Sequence, residues 1–199
     1  MVACCLSALL SLSTISSLAQ AMAPEKSAKA AAMSDSRLIS SNIQYNQDIM
    51  FFSQKAIDYT KDSRIKELAD QMITEHSALL YAMEQLKTAG SSSSGGNAAD
   101  GTDEAQKQSV ELNTKLSQVS GVEFDSVWVA GMLIMEQTKH DELSIAKETT
   151  TNLRLKMGLT EAIPIIRKYR NQLRIVQKDL AKIAMQQRKE AAAALKKKK

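Results

Sequence analysis

His76 stands in the stretch MITEHSALLYAME (residues 72–84), where steps of four and three connect Ile65, Ala69, Met72, His76, Leu79, Met83 and Leu86. That period is the buried seam of an amphipathic helix, so the sequence puts an imidazole into an apolar core. Two further side chains with useful chemistry fall on or near seams of other helices: Glu136 in MEQTKH and Tyr169 in IRKYR. Together His76, Glu136 and Tyr169 could offer one nitrogen and two oxygens to Zn2+, Fe3+ or Cu2+. They could equally form a hydrogen-bonded polar layer, which fixes helix register at some cost in stability. A ligand set needs the three heads converging within about 5 Å, because metal–ligand bonds are roughly 2.0–2.2 Å long. A layer needs only pairwise hydrogen bonds. We take the layer as the primary reading, with no cofactor, and a single transition metal ion as the alternative.

His140 follows Glu136 by four residues and shares a side of the same helix, which makes it an accessory candidate ligand nearer the edge of the apolar stripe. Met132 and Met135 lie close by and resemble a soft copper cluster, but methionine at helical spacing is ordinarily core filler. A carboxylate-bridged two-iron centre draws on paired Glu-x-x-His motifs. None occurs in the chain, and the adjacent Glu75 and His76 point about 100° apart. Catalytic serine motifs, phosphate-binding glycine loops and dinucleotide fingerprints are also missing, so nothing argues for an enzyme.

These side chains must be positioned by helices. The chain of 199 residues has two prolines and seven glycines and no stretch of alternating strand pattern, which favours an all-α domain. A first helix is expected over 36–59, burying Leu38, Tyr45, Ile49, Phe52 and Ala56. TKDS makes a turn with Asp62 or Ser63 as the cap of a second helix reaching about residue 88. AGSSSSGGNAADGT supplies a flexible linker, residues 90–102. A third helical region opens at the acidic Asp103 and Glu104 and breaks near Gly121. The main helix resumes over 122–147, burying Phe124, Trp128, Met132, Met135, Leu143 and Ala146. After an ETTTN turn capped by Asn152, a last helix is expected over 153–189, bent at Gly158 and Pro164. Its seam reads Ile166, Tyr169, Leu173, Val176, Leu180 and Ile183. Short connections make neighbouring helices antiparallel, so the architecture is an up-and-down four-helix bundle over residues 35–190 with a long, kinked C-terminal helix.

Residues 1–21, MVACCLSALLSLSTISSLAQA, are uncharged and apolar and end in Ala19-Gln20-Ala21, as a secretory signal peptide does, although no basic residue precedes the apolar run. Residues 22–34 read as a disordered leader. Cys4 and Cys5 both lie inside the signal, so the mature chain would carry no thiol and depend on its core rather than on disulfides. The expected location is periplasmic or otherwise exported, with membrane association through a basic end. From Pro164 onward twelve Lys/Arg face two acids, against fourteen and twenty in the rest of the chain. The last helix and the tail 191–199, with Lys196, Lys197, Lys198 and Lys199, could therefore bind anionic lipid or cell-wall polymer. The arm has no aromatic residue to stack bases, which argues against specific nucleic-acid readout.

The segments DSRIKELADQMITEHSALLYAMEQLK, LSQVSGVEFDSVWVAGMLIMEQTKHDE and LRLKMGLTEAIPIIRKYRNQL resemble the bacterial domain of unknown function 4142 family over about residues 36–182. The most specific marks are MITEH, GVEFD and the proline of AIPIIRKY. The resemblance implies a ferritin-like helical bundle that is exported, and it implies no reaction. The family pattern often carries a histidine in each segment. Here only His76 matches, while Glu136 and Tyr169 stand at the second and third positions. The resemblance thus singles out the same three residues as the periodicity, with two of the three histidines replaced.

Overall fold

A computed structural model describes residues 34–90 and 103–197. These form five helices, and there is no strand among the described residues: α1 (Asp35–Tyr59), α2 (Ser63–Gly90), α3 (Asp103–Leu116), α4 (Gly121–Thr149) and α5 (Leu153–Lys197). The signal and leader, 1–33, the linker residues 91–102, and Lys198 and Lys199 lie outside the described residues.

Two helical hairpins, α1–α2 and α4–α5, account for most of the packing; α1 also rests on α4, and α2 on α5. The same device closes both hairpins. In the first, extended Thr60 donates its backbone N–H to Ala56 O, its hydroxyl oxygen accepts the Asp62 N–H, and the Asp62 carboxylate caps α2 by accepting the Arg64 N–H at 3.0 Å. In the second, extended Thr150 donates to Ala146 O, its hydroxyl accepts the Asn152 N–H, and the Asn152 side-chain oxygen accepts the Leu155 N–H at 3.2 Å. Both connections thus satisfy helix-end groups that an abrupt reversal would leave unpaired.

The seams of α1 and α2 read from the sequence are buried throughout, from Leu38 to Ala56 and from Ile65 to Met83, with Leu86 half-buried against the core. In α4 the expected residues are buried except Ala146, which is half-buried at its rim. Trp128 is fully buried, and its indole N–H donates to Phe52 O at 2.8 Å, tying α4 to α1. GVEFD sits at the foot of this helix. Gly121 takes φ +59°, where a side chain is strained, and lets the chain turn from α3 into α4. Asp125, 5% exposed, stands by the Thr60 hydroxyl at the first hairpin turn; burial pushes its carboxyl above the ordinary range.

α5 is continuous through Gly158 and Pro164, and Gly158 serves close packing, since a β-carbon there would lie 3.3 Å from Leu86 Cδ1. Two expectations change. The helix runs on to Lys197 rather than ending near 189, so the basic tail up to Lys197 is its last turns. Ile183 belongs to the apolar stripe in sequence but is 39% exposed. Leu180 is the last buried residue, and from Ala181 to Lys196 every side chain is exposed except half-buried Ala184. At 1.5 Å per residue the 45-residue α5 is about 67 Å long, and the 29-residue α4 about 43 Å. The end of α5 overhangs its partners, and periodicity alone cannot tell whether anything stands opposite a stripe.

Candidate functional site

The seam of α2 carries His76 into the interior, where it is 0% exposed. α1 and α4 meet the ring from either side. Its Nδ1 lies 2.8 Å from Asn46 Oδ1. The Asn46 amide nitrogen in turn donates to Asn42 O at 2.7 Å, and Asn42 donates to Leu38 O at 2.8 Å. Because the amide nitrogen of Asn46 is committed to that carbonyl, its oxygen faces the ring and Nδ1 must be the donor. Nε2 then faces Glu136 Oε1 at 3.3 Å, too poorly aligned for a hydrogen bond, and neither atom has another hydrogen-bond partner among the described residues. The other carboxylate oxygen of Glu136 accepts the Tyr45 hydroxyl at 2.8 Å. Burial, and secondarily the Glu136 charge, push the Tyr45 phenol well above its ordinary value, so it remains a donor.

Tyr169 joins this group with its ring rather than its oxygen. The His76 imidazole is flanked by Tyr45, edge-on with centroids 5.7 Å apart, and by Tyr169, tilted at 5.6 Å. The Tyr169 hydroxyl donates to the backbone oxygen of Gln71 at 2.8 Å, with Lys168 and its ion-paired partner Glu75 close by. Burial and then Glu75 push this phenol upward as well. His140, one turn beyond Glu136, turns its Nδ1 to the Asp141 carboxylate at 3.2 Å, and the structure does not bring it into the layer. Met132 and Met135 are buried in the core cluster. Of the four candidates read from the sequence, His76 and Glu136 meet head to head, Tyr169 packs alongside, and His140 stands apart.

Periodicity alone missed the parts of the site contributed by α1, and a lysine. Tyr45 was expected to be buried, but not to hold a carboxylate, and Asn42 and Asn46 were not singled out. Their four-residue spacing on the buried stripe of α1 was the available signal. Lys139, 3% exposed, donates to Ser41 Oγ at 2.9 Å and Glu142 Oε2 at 2.8 Å, and its ammonium lies 5.2 Å from the Tyr45 ring centroid. Burial pushes this ammonium below its ordinary value, while Glu142 and Asp48 partly oppose the shift. Tyr45 therefore links a half-buried polar group, Lys139–Glu142–Ser41, to the buried group Glu136–His76–Asn46.

The side chains do not fit a carboxylate-bridged two-metal centre. Among the described residues no three His, Asp or Glu side chains gather as a ligand group. The arrangement is one imidazole–carboxylate pair, one phenol and one amide, all buried. An all-helical bundle with this layer defines the class of protein. Within that class the chain belongs to the family described as Domain of unknown function (DUF4142), whose sequence model matches residues 20–176. No curated protein and no solved structure matches the chain. The match takes in both hairpins and stops before the overhang of α5.

Proposed function

We propose that the chain is an exported, non-enzymatic helical-bundle protein of the bacterial cell envelope. In this reading its four long helices form a ferritin-like, up-and-down four-helix bundle, keyed in register by the His76 layer. The observation that carries it is the pairwise bonding of that layer. Asn46 takes Nδ1 of His76, Tyr45 takes Glu136, and Gln71 takes Tyr169, so the polar heads are spent on neighbours rather than aimed at a common point. Fully enclosed side chains offer a substrate no approach. The apolar leader ending in Ala19-Gln20-Ala21 supports export. No described helix is long and apolar enough to cross a membrane.

One observation favours a second reading, a single bound transition metal ion. Among the described residues His76 Nε2 and Glu136 Oε1 lack hydrogen-bond partners, and they stand 3.3 Å apart, a separation suited to neighbouring ligands on one ion, with the Tyr45 oxygen on the far side of the carboxylate. One preparation tests both readings. The chain is expressed with its leader in a bacterial host and purified from the periplasmic or envelope fraction. It is then incubated with iron, copper and zinc, beside a His76→Ala variant checked for helicity. The expected result is a mature chain starting near Met22 that retains no metal. About one equivalent of metal, lost in a still-helical variant, would establish the second reading instead. An unprocessed chain in the cytoplasm would overturn export.

A further inference from the structure

We infer that the overhanging end of α5, residues 178–197, is an arm that lies on an anionic phospholipid surface. Beyond Leu180 this helix has nothing to pack on among the described residues, yet it stays helical for a further seventeen positions, Ala181–Lys197. Its charged residues are ordered. At 3.6 residues per turn Lys178, Lys182, Lys189 and Lys196 fall within about 40° of one another and form one line about 27 Å long. All four are exposed, and Lys178, Lys189 and Lys196 make no ion pair among the described residues. Lys182 shares Asp179 with Arg64, at 3.0 and 3.6 Å, and its side chain remains 73% exposed. The other acid of the arm, Glu190, stands off the line and accepts a hydrogen bond from Gln186. The line therefore presents three ammonium groups with no carboxylate paired to them among the described residues, and a fourth, Lys182, beside Asp179.

Lipid is the phosphate source that suits this face. The cations are lysines apart from Arg188, point charges that need no fixed ligand geometry, whereas base or phosphodiester readout favours arginine forks and stacking aromatics. Exposed Met185, 54% accessible, sits beside the lysine line and can enter the headgroup region while the lysines extend over it. Leu180, nearly opposite, is the last side chain of the helix buried against the bundle. The arm also lies beyond residue 176, where the family match ends.

The test is co-sedimentation of the full chain with phosphatidylglycerol vesicles and with phosphatidylcholine vesicles, at low and high salt. The variants are Lys178→Glu/Lys189→Glu/Lys196→Glu and the corresponding triple Arg variant, each checked for helicity. Binding is expected only to the anionic vesicles and to weaken with salt. Each lysine contributes roughly a factor of five, so the Glu variant loses ~100-fold or more while the Arg variant binds like the wild type. Equal binding by wild type and Glu variant, equal binding to neutral vesicles, or tighter binding to a DNA duplex than to anionic vesicles would each overturn the proposal. The inference does not depend on His76 or on leader processing, so vesicle binding can fail while the proposed function stands, and the reverse.

Discussion

Asn46 and Glu136 occupy equivalent positions in the two helical hairpins and face the two nitrogens of one histidine, at 2.8 and 3.3 Å. The equivalence follows from the turns. Thr60 and Thr150, and Asp62 and Asn152, are 90 residues apart and make the same threonine-hydroxyl contact in each hairpin; the buried Ile65 and Leu155, and Asn46 and Glu136, share that offset. His76 corresponds in turn to Ile166, which is buried and apolar. The turns of the two hairpins are alike in construction, and at the level of this layer the hairpins differ: a histidine stands opposite an isoleucine and an asparagine opposite a glutamate. A shift of either hairpin by one helical turn would leave a buried imidazole and a buried carboxylate without their neighbours, so the layer penalises other registers more than it stabilises this one.

The Tyr45 hydroxyl is the test of that argument. Tyr45→Phe removes one atom and leaves Oε2 of the fully buried Glu136 without its donor. The expected cost is about 1–3 kcal/mol, measured by urea unfolding. Glu136→Gln should also destabilise, and the double variant should cost less than the sum of the two, with a coupling above ~0.5 kcal/mol. Strict additivity would mean that the hydroxyl and the carboxylate do not act as a pair.

Much of the bundle was legible in the sequence because buried stripes of long helices are a periodic signal. The α1 and α2 seams, the Asp62 and Asn152 caps and the break at Gly121 all followed from local chemistry. What escaped was non-local. Ile183 continues the stripe of α5 but lies past the end of its partners, and Gly158 reads as a helix weakness until Leu86 is found against it. In the site, periodicity put His76 and Glu136 on buried seams, and they meet because seams of helices that are not direct packing neighbours still face one core. It could not say that Tyr169 would spend its hydroxyl on Gln71 O, because a side chain's partner depends on backbone several turns away on another helix. The family resemblance pointed to the same three positions and had the same blind spot.

Gly131 governs how α3 docks on α4. A β-carbon at this position would lie close against the Leu112 side chain, 2.7 Å from its Cδ2 and 3.0 Å from its Cγ. Leu112 is 6% exposed, so it must move if anything is added opposite it. Gly131→Ala should therefore destabilise by about 1–3 kcal/mol through overpacking, even though alanine is the better helix former. Leu112→Ala should be destabilising alone and less so in the Gly131→Ala background, where the new methyl occupies part of the cavity. Hydrogen exchange of the α3 amides would locate the effect. A neutral or stabilising Gly131→Ala would show that the leucine yields freely.

Lys139 should give the protein a pH dependence in the alkaline range. Its ammonium is buried, and burial holds its folded-state value below the ordinary 10.5. Between that lowered value and 10.5 the unfolded chain binds the proton more tightly than the folded one, so stability rises as pH rises through the window. Below the window the full cost of the buried charge is present. The groups facing Lys139 do not reverse this sign. Glu142 and Asp48 oppose the shift without removing it, and Asp48, although raised by burial, titrates on the acid side. Tyr45 is raised above 10.0, so its own contribution is lost only above that value. The comparison is with Lys139→Met, which keeps the hydrophobic stem and Tyr45 but has no charge to bury. Urea unfolding at a series of pH values below 10.0 should show the wild type gaining on the variant as pH increases. A constant difference would mean that Glu142 and Ser41 compensate the ammonium fully, and that its burial carries no net penalty.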